Sequence, residues 1–123
     1  MKTGNIIQEK TFAFAVNITK LCKYLCDNKK EFILSKQLLR SGTSVGSNIE
    51  EAIGGQSSKD FFTKVTIAYK EARETIYWLK LLYATDYLTK QQSEKLLNEA
   101  TEICKILGKI QTTMKNKLFI RNS

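Results

Sequence analysis

The stretch that decides the fold is residues 37–52, which read Gln-Leu-Leu-Arg-Ser-Gly-Thr-Ser-Val-Gly-Ser-Asn-Ile-Glu-Glu-Ala. Its middle, residues 41–48, is small, polar and glycine-containing, a composition typical of a loop. The periodicity instead indicates one side of a helix, because small or apolar residues recur at steps of three and four: Leu34, Leu38, Gly42, Val45, Ile49 and Ala52. Ser, Gly, Thr and Asn each cost roughly 0.5–1 kcal/mol against Ala in a helix. We therefore interpret the stretch as a helix that another element approaches closely, with Gly42 and Gly46 at the crossing.

Similar apolar stripes predict three further helices. The four helices are expected at about residues 5–27, 31–53, 58–86 and 90–118. Three residue pairs with capping-box spacing mark the starts of the last three helices: Asn28 with Glu31, Ser57 with Asp60, and Thr89 with Gln92.

Long helices are possible because the chain of 123 residues contains no proline. Short connections between long helices force sequential helices to lie antiparallel. No strand-like alternation extends beyond a few residues. The sequence therefore predicts an all-α fold, a single antiparallel up-down-up-down four-helix bundle that spans residues 1–123 as one domain.

Composition disfavours an enzyme. Histidine, the commonest general acid or base and the commonest metal ligand, is absent. The three cysteines, Cys22, Cys26 and Cys104, are an odd number, and no secretory segment is recognisable, so we expect reduced thiols in a cytoplasmic protein. The uncharged run at residues 11–19 is too short to span a membrane. We expect no catalytic residues, no metal and no cofactor.

Basic charge is concentrated in two parts of the chain. The formal net charge is +8, and residues 105–121 contain five basic residues and no acidic ones. Residues 10–40 contain seven basic and two acidic residues. A lysine surface that only confers solubility and a surface that binds a polyanion are both consistent with this pattern. The candidate phosphate-binding residues are Lys20, Lys23, Lys36, Lys105, Lys109, Lys115, Lys117 and Arg121.

Two patches of the sequence together form a family signature. The first patch comprises Gln37, Leu38, Arg40, Ser44, Val45, Asn48, Ile49 and Glu51. The second comprises Ala68, Glu71, Ala72, Glu74, Trp78 and Leu79. These patches resemble the signature of the four-helix-bundle family of 23S rRNA intervening-sequence proteins, also called the S23 ribosomal protein family. The accessory variability proteins of diversity-generating retroelements are related to this family. The resemblance implies an architectural motif, a basic homopentamer that associates with nucleic acid, and possible partnership with an enzyme such as a reverse transcriptase.

The polar residues of the motif have two interpretations. Arg40, Ser44 and Asn48 are spaced four apart, so they lie on one side of the second helix. They form either a polar site inside the bundle or a structural hydrogen-bond network. We favour the network, with Glu51 of the second helix or Glu71 and Glu74 of the third helix as partners.

These observations lead to one functional prediction and one alternative. We expect a non-enzymatic, basic, homo-oligomeric scaffold that binds RNA or DNA through phosphate contacts with little sequence preference. The alternative is a protein-interaction module with no nucleic-acid role, in which exposed aromatic residues bind another protein.

Overall fold

The computed structural model describes the backbone of residues 2–120 and the side chains of residues 6–119. It contains α1 (Lys2–Lys29), α2 (Leu34–Ile53), α3 (Ser58–Ala84) and α4 (Lys90–Lys115), and α4 continues into a short π-helix (Asn116–Ile120). No strand occurs within these residues. The predicted all-α, four-helix fold is confirmed.

Each helix packs along the next one in the chain, and α1 also meets α4 over a smaller contact. The connections are residues 30–33, 54–57 and 85–89, too short to do more than reverse the chain direction. The four helices therefore form an up-down-up-down bundle. None of the described helices has the length and apolarity that crossing a membrane requires.

Residues 41–48 are helical throughout and lie in the middle of α2. A Cβ atom added at Gly42 would lie 2.7 Å from Cγ2 of Ile18, and one added at Gly46 would lie 3.2 Å from the carbonyl oxygen of Thr11. Both neighbours belong to α1, so the two glycines permit a close crossing of α1 and α2. The interpretation of this stretch as a tightly packed helix is confirmed.

The core lies along the bundle axis and combines large aliphatic residues with small ones. Ile18, Leu38 and Leu79 have no exposed surface. The hydroxyl groups of Thr75 on α3 and Ser41 on α2 lie 3.0 Å apart in this core. Among the described residues, no buried side-chain nitrogen or oxygen lacks a hydrogen-bond partner, so the polar residues of α2 are accommodated without cost from unpaired groups.

Two of the three predicted helix starts agree with the structure. The hydroxyl group of Thr89 accepts from the backbone N–H of Gln92 at 3.1 Å, and the backbone N–H of Thr89 donates to the Gln92 side chain at 2.9 Å. This is the predicted capping box. At α3, the Ser57 hydroxyl group accepts from the backbone N–H of Asp60 at 3.1 Å.

The start of α2 differs from the prediction. Asn28 and Glu31 form no capping box, because α1 continues to Lys29 and Lys30 then adopts a left-handed conformation with φ of 53°. The buried Glu31 carboxylate instead accepts from the backbone N–H of Ser35 at 2.8 Å and of Ile33 at 3.3 Å. Glu31 therefore caps α2 from the connection, and α2 begins at Leu34.

Candidate nucleic-acid interface

Polar contacts join α1 to α4, the two neighbouring helices that share the smaller contact. Lys10 on α1 forms a salt bridge with Glu102 on α4. About two turns further along α1, the amide group of Asn17 donates to the Glu99 carboxylate at 3.1 Å. These contacts define the α1–α4 face, the outer surface on either side of this seam.

Several predicted lysines lie on the α1–α4 face. Lys105 and Lys109 follow Glu102 by three and seven residues, so they share its side of α4 and are exposed. Lys20 follows Asn17 by three residues and is also exposed. Glu102 is paired with Lys10, and the Glu99 carboxylate, which accepts from the uncharged Asn17 amide, offsets one of these three ammonium groups. The face therefore keeps a positive potential.

The prediction missed two residues of this face. Lys95 precedes Glu102 by seven residues, which places it in line with Glu102 and Lys109 along α4. Lys10 contributes the salt bridge to Glu102. The seven-residue spacing of Lys95, Glu102 and Lys109 was a signal available in the sequence.

The remaining predicted basic residues do not join this face. Lys115 follows Gln111 by four residues, and the Gln111 amide donates to the Thr66 hydroxyl of α3 at 3.3 Å, so Lys115 lies on the α3 side of α4. Lys117 lies in the π-helix at the end of the bundle. Lys23 lies on α1, on the side away from the seam, and Lys36 lies on α2. Arg121 lies outside the described residues. The predicted single basic field is therefore smaller than expected.

The motif residues meet on the outer seam between α2 and α3. The guanidinium group of Arg40 contacts the carboxylates of Glu71, at 3.2 Å, and of Glu74. Its Nε donates to the Gln37 side chain at 3.1 Å, and the Trp78 indole N–H donates to the Glu74 carboxylate at 2.9 Å. We call this group the Arg40 cluster. It ties two helices together at the surface, with 47% of the Arg40 side chain exposed.

Ser44, Asn48 and Glu51 lie outside this cluster. The Asn48 amide donates to the Ser44 carbonyl oxygen of its own helix at 2.8 Å. Glu51 is exposed and forms a salt bridge with Lys64 of α3 at 2.9 Å. The expected hydrogen bonds from Ser44 and Asn48 to the glutamates are therefore wrong. The carboxylates of Glu71 and Glu74 bind Arg40 instead, and that of Glu51 binds Lys64.

Cys22 lies in the core, and Cys104 packs against the core as a partly buried residue. Cys22 is buried, and its thiol donates to the Ser35 carbonyl oxygen at 3.3 Å. Burial raises the pKa of Cys22 to about 12 from 9.0, with a smaller contribution from Cys26. Burial also raises the pKa of Cys104. Within the described residues, no three Cys, Asp or Glu side chains are grouped closely enough to hold a metal ion.

An apolar pocket of about 480 Å³ opens at the end of the bundle where α1 begins and α4 ends. Its two charged lining residues are Lys109 and Lys117. The pocket is lined by Ile7, Ile49, Ala52, Ile53, Phe61, Val65, Ile106, Lys109, Ile110, Thr113, Met114 and Lys117. None of these described residues offers a carboxylate or a thiol.

Comparison with known proteins finds a family model and a solved structure to which this chain is similar. The model of a family described as 23S rRNA-intervening sequence protein matches residues 4–109. The chain is also similar to a crystal structure, at 1.70 Å resolution, of a protein of unknown function from the S23 ribosomal protein family of Bacteroides thetaiotaomicron VPI-5482. The two sequences are 50% identical, the match covers 89% of this chain and 98% of that one, and the TM-score is 0.87. None of the curated proteins compared with the chain matches it.

Proposed function

The chain belongs to the 23S rRNA-intervening sequence protein family, and from that premise we propose that it is a basic, homo-oligomeric scaffold that binds RNA or DNA through phosphate contacts. In this proposal the protein catalyses no reaction. It acts in the cytoplasm, where its three free cysteines stay reduced.

The observation that carries the proposal is the positive α1–α4 face. Lys20, Lys95, Lys105 and Lys109 are exposed along it, and the neighbouring Glu102 is paired with Lys10. Ammonium groups in such a row neutralise successive phosphates and release counterions, a contribution that does not depend on base sequence. The exposed side chains of this row are not aromatic, so base stacking does not add to it.

Oligomerisation would strengthen this interaction. The family resemblance implies a pentamer, and five copies would carry about +40 at a net charge of +8 each. A closed ring would also present several α1–α4 faces to one polyanion, so that phosphate contacts on neighbouring copies act together.

The test is the fluorescence anisotropy of a labelled single-stranded RNA oligonucleotide at low salt. The double variant Lys105→Glu, Lys109→Glu should weaken binding by about tenfold or more, because four units of charge are removed from the face. The control variant Lys70→Glu, Lys80→Glu makes the same change in net charge on exposed residues of α3. It should weaken binding much less. Absence of binding by the wild-type protein, or equal loss in both variants, would refute the proposal.

The Arg40 cluster favours a second candidate, a module that binds another protein, such as a partner enzyme. Tyr77 is 58% exposed and packs edge-on against Trp78, with 5.0 Å between ring centroids. Trp, Tyr and Arg dominate the residues that contribute most to protein interfaces. In this case Tyr77→Ser should abolish capture of the partner, and Lys105→Glu with Lys109→Glu should leave it intact.

A further inference from the structure

The apolar pocket of about 480 Å³ at the end of the bundle is not used by the proposed function. Its volume falls within the range of about 300–1,000 Å³ that is typical of pockets for small molecules. All four helices contribute to its lining, which includes Ile7 from α1, Ile49 from α2, Val65 from α3 and Ile110 from α4. Every lining residue lies in a helix, so the shape of the pocket is set by helix packing and not by a loop.

The floor of the pocket belongs to the hydrophobic core. It consists of Ile7, Ile49, Ala52 and Val65, each of which is only 1–3% exposed. Their side chains offer neither a hydrogen-bond donor nor an acceptor. A polar group placed there would lose its contacts with water and gain no replacement. The floor therefore selects the apolar part of a ligand.

The helix α4 and its π-helical continuation supply one long wall, along which two rows of side chains run. The members of each row are spaced four residues apart, so they lie on one side of the helix. The first row is apolar and half-buried, and consists of Ile106, Ile110 and Met114. The second row is polar and exposed, and consists of Lys109, Thr113 and Lys117. Each row extends over about 12 Å at 1.5 Å per residue, so the wall suits an extended chain that lies along α4.

The rim of the pocket is positively charged. Lys109 and Lys117 are the two charged side chains among the described lining residues. Thr113 lies midway between them, about 6 Å along the helix from each, a distance that a lysine side chain can span. Two ammonium groups and one hydroxyl group can therefore converge on a single anionic group above Thr113.

We propose that this pocket binds a linear aliphatic carboxylate, a medium-chain fatty acid such as decanoate. The hydrocarbon chain lies over the floor and along the apolar row of α4, and the carboxylate binds the ammonium groups of Lys109 and Lys117 at the rim. An alcohol with the same chain makes the apolar contacts without the ion pairs. A cation with the same chain is repelled by both lysines. The charge of the head group therefore distinguishes this site from a surface that is only apolar.

Binding in the pocket does not rest on oligonucleotide binding. Lys109 lies both on the α1–α4 face and at the rim, whereas Lys117 and the floor lie outside that face. A protein that binds no oligonucleotide would still bind decanoate under this proposal. Failure to bind decanoate would likewise leave the scaffold proposal standing, so the two proposals fail separately.

NMR of the wild-type protein with isotope-labelled isoleucine methyl groups locates the site. Decanoate should bind with a Kd of about 1 mM or tighter. Its titration should shift the signals of the isoleucines that line the pocket: Ile7, Ile49, Ile53, Ile106 and Ile110. Isoleucines elsewhere in the bundle should not shift: Ile18, Ile33 and Ile76.

Variants separate the contribution of the rim from that of the floor. The double variant Lys109→Gln, Lys117→Gln should weaken decanoate binding about fivefold, the loss of two exposed ion pairs, and should change decanol binding by less than about twofold. The control Lys105→Gln, Lys115→Gln removes the same charge from exposed positions of α4 that do not line the pocket, and it should leave both affinities unchanged. Ala52→Leu places a larger side chain on the floor and should abolish binding of both ligands.

Circular dichroism verifies that each variant is folded. If Ala52→Leu does not fold, the isoleucine shifts and the lysine variants still decide the question. Absence of decanoate binding, shifts that include Ile33 and Ile76, or binding of decylammonium as tight as that of decanoate would each overturn the proposal. Equal loss of decanoate affinity in the double lysine variant and its control would overturn it as well.

Discussion

Substitution of Gly42 by alanine should destabilise the protein, although alanine is the better helix former. The new Cβ would lie 2.7 Å from Cγ2 and 2.9 Å from Cγ1 of Ile18, which has no exposed surface and no room to move away. Overpacking a core in this way costs about 1–3 kcal/mol. Replacing glycine by alanine inside a helix raises the free energy of unfolding by roughly 1 kcal/mol through helix propensity. We expect the free energy of unfolding to fall by about 1 kcal/mol.

The matched control is Gly108→Ala. Gly108 is also inside a helix, but its nearest neighbour beyond its own helix would be Cε1 of Tyr69, at an ordinary 3.6 Å from the added Cβ. Here only the helix propensity changes, so the variant should be more stable by roughly 0.5–1 kcal/mol. Urea unfolding followed by circular dichroism gives both values, and the two substitutions should differ in sign.

A double-mutant cycle attributes the effect to the crossing with α1. Ile18→Ala removes both Cγ atoms that the new methyl group would strike, and leaves the Ile18 Cβ position at 3.2 Å. In that background Gly42→Ala should become neutral or stabilising, a coupling of about 1 kcal/mol or more. If Gly42→Ala stabilises the wild-type protein as much as Gly108→Ala does, the close crossing of α1 and α2 is refuted.

Three further predictions concern other parts of the bundle. Glu31→Ala removes the acceptor that caps α2, so the free energy of unfolding should fall by about 1 kcal/mol; an unchanged urea midpoint would contradict this role. Arg40→Gln removes two half-exposed salt bridges, which should cost less than about 1 kcal/mol because solvent screens them; a larger loss would mean the cluster is more than a surface tie. Burial raises the pKa of Cys22 to about 12 from 9.0, so the unfolded chain loses this proton first and the stabilisation from the neutral thiol declines as pH rises above about 9. Between pH 9 and 10 the wild-type protein should lose about 1 kcal/mol more stability than Cys22→Ala does, as measured by urea unfolding.

The fold was predictable because its signals are local and repeated. The steps of three and four through residues 34–52 identify α2 despite its loop-like composition, and Thr89 with Gln92 marks the start of α4. The start of α2 was predicted wrongly because Glu31 reaches the helix from the connection, which the capping-box pattern does not describe. Such a contact depends on the path of the connecting chain, and no periodicity reports that path.

The candidate site was less predictable because it depends on how the helices are aligned. The sequence offered Glu51, or Glu71 and Glu74, as carboxylate partners in the motif, and the structure pairs Arg40 with Glu71 and Glu74. The Lys10–Glu102 salt bridge joins the first helix of the bundle to the fourth. It forms only if α1 and α4 are aligned along the bundle axis so that these two residues lie at the same height. That alignment is fixed by packing of the whole bundle, so the division of the lysines among different faces emerges only in the folded protein.

The most direct test of the scaffold proposal is the salt dependence of oligonucleotide binding. For single-stranded RNA, the logarithm of the association constant should fall linearly with the logarithm of salt concentration, by about 0.7 for each phosphate contact. Replacing Lys105 and Lys109 by alanine removes two such contacts per copy engaged, so the slope should become shallower by roughly 1.4 for each copy. A steep wild-type slope that the two substitutions reduce is the predicted result. A slope near zero, or one that these substitutions leave unchanged, would contradict phosphate binding on the α1–α4 face.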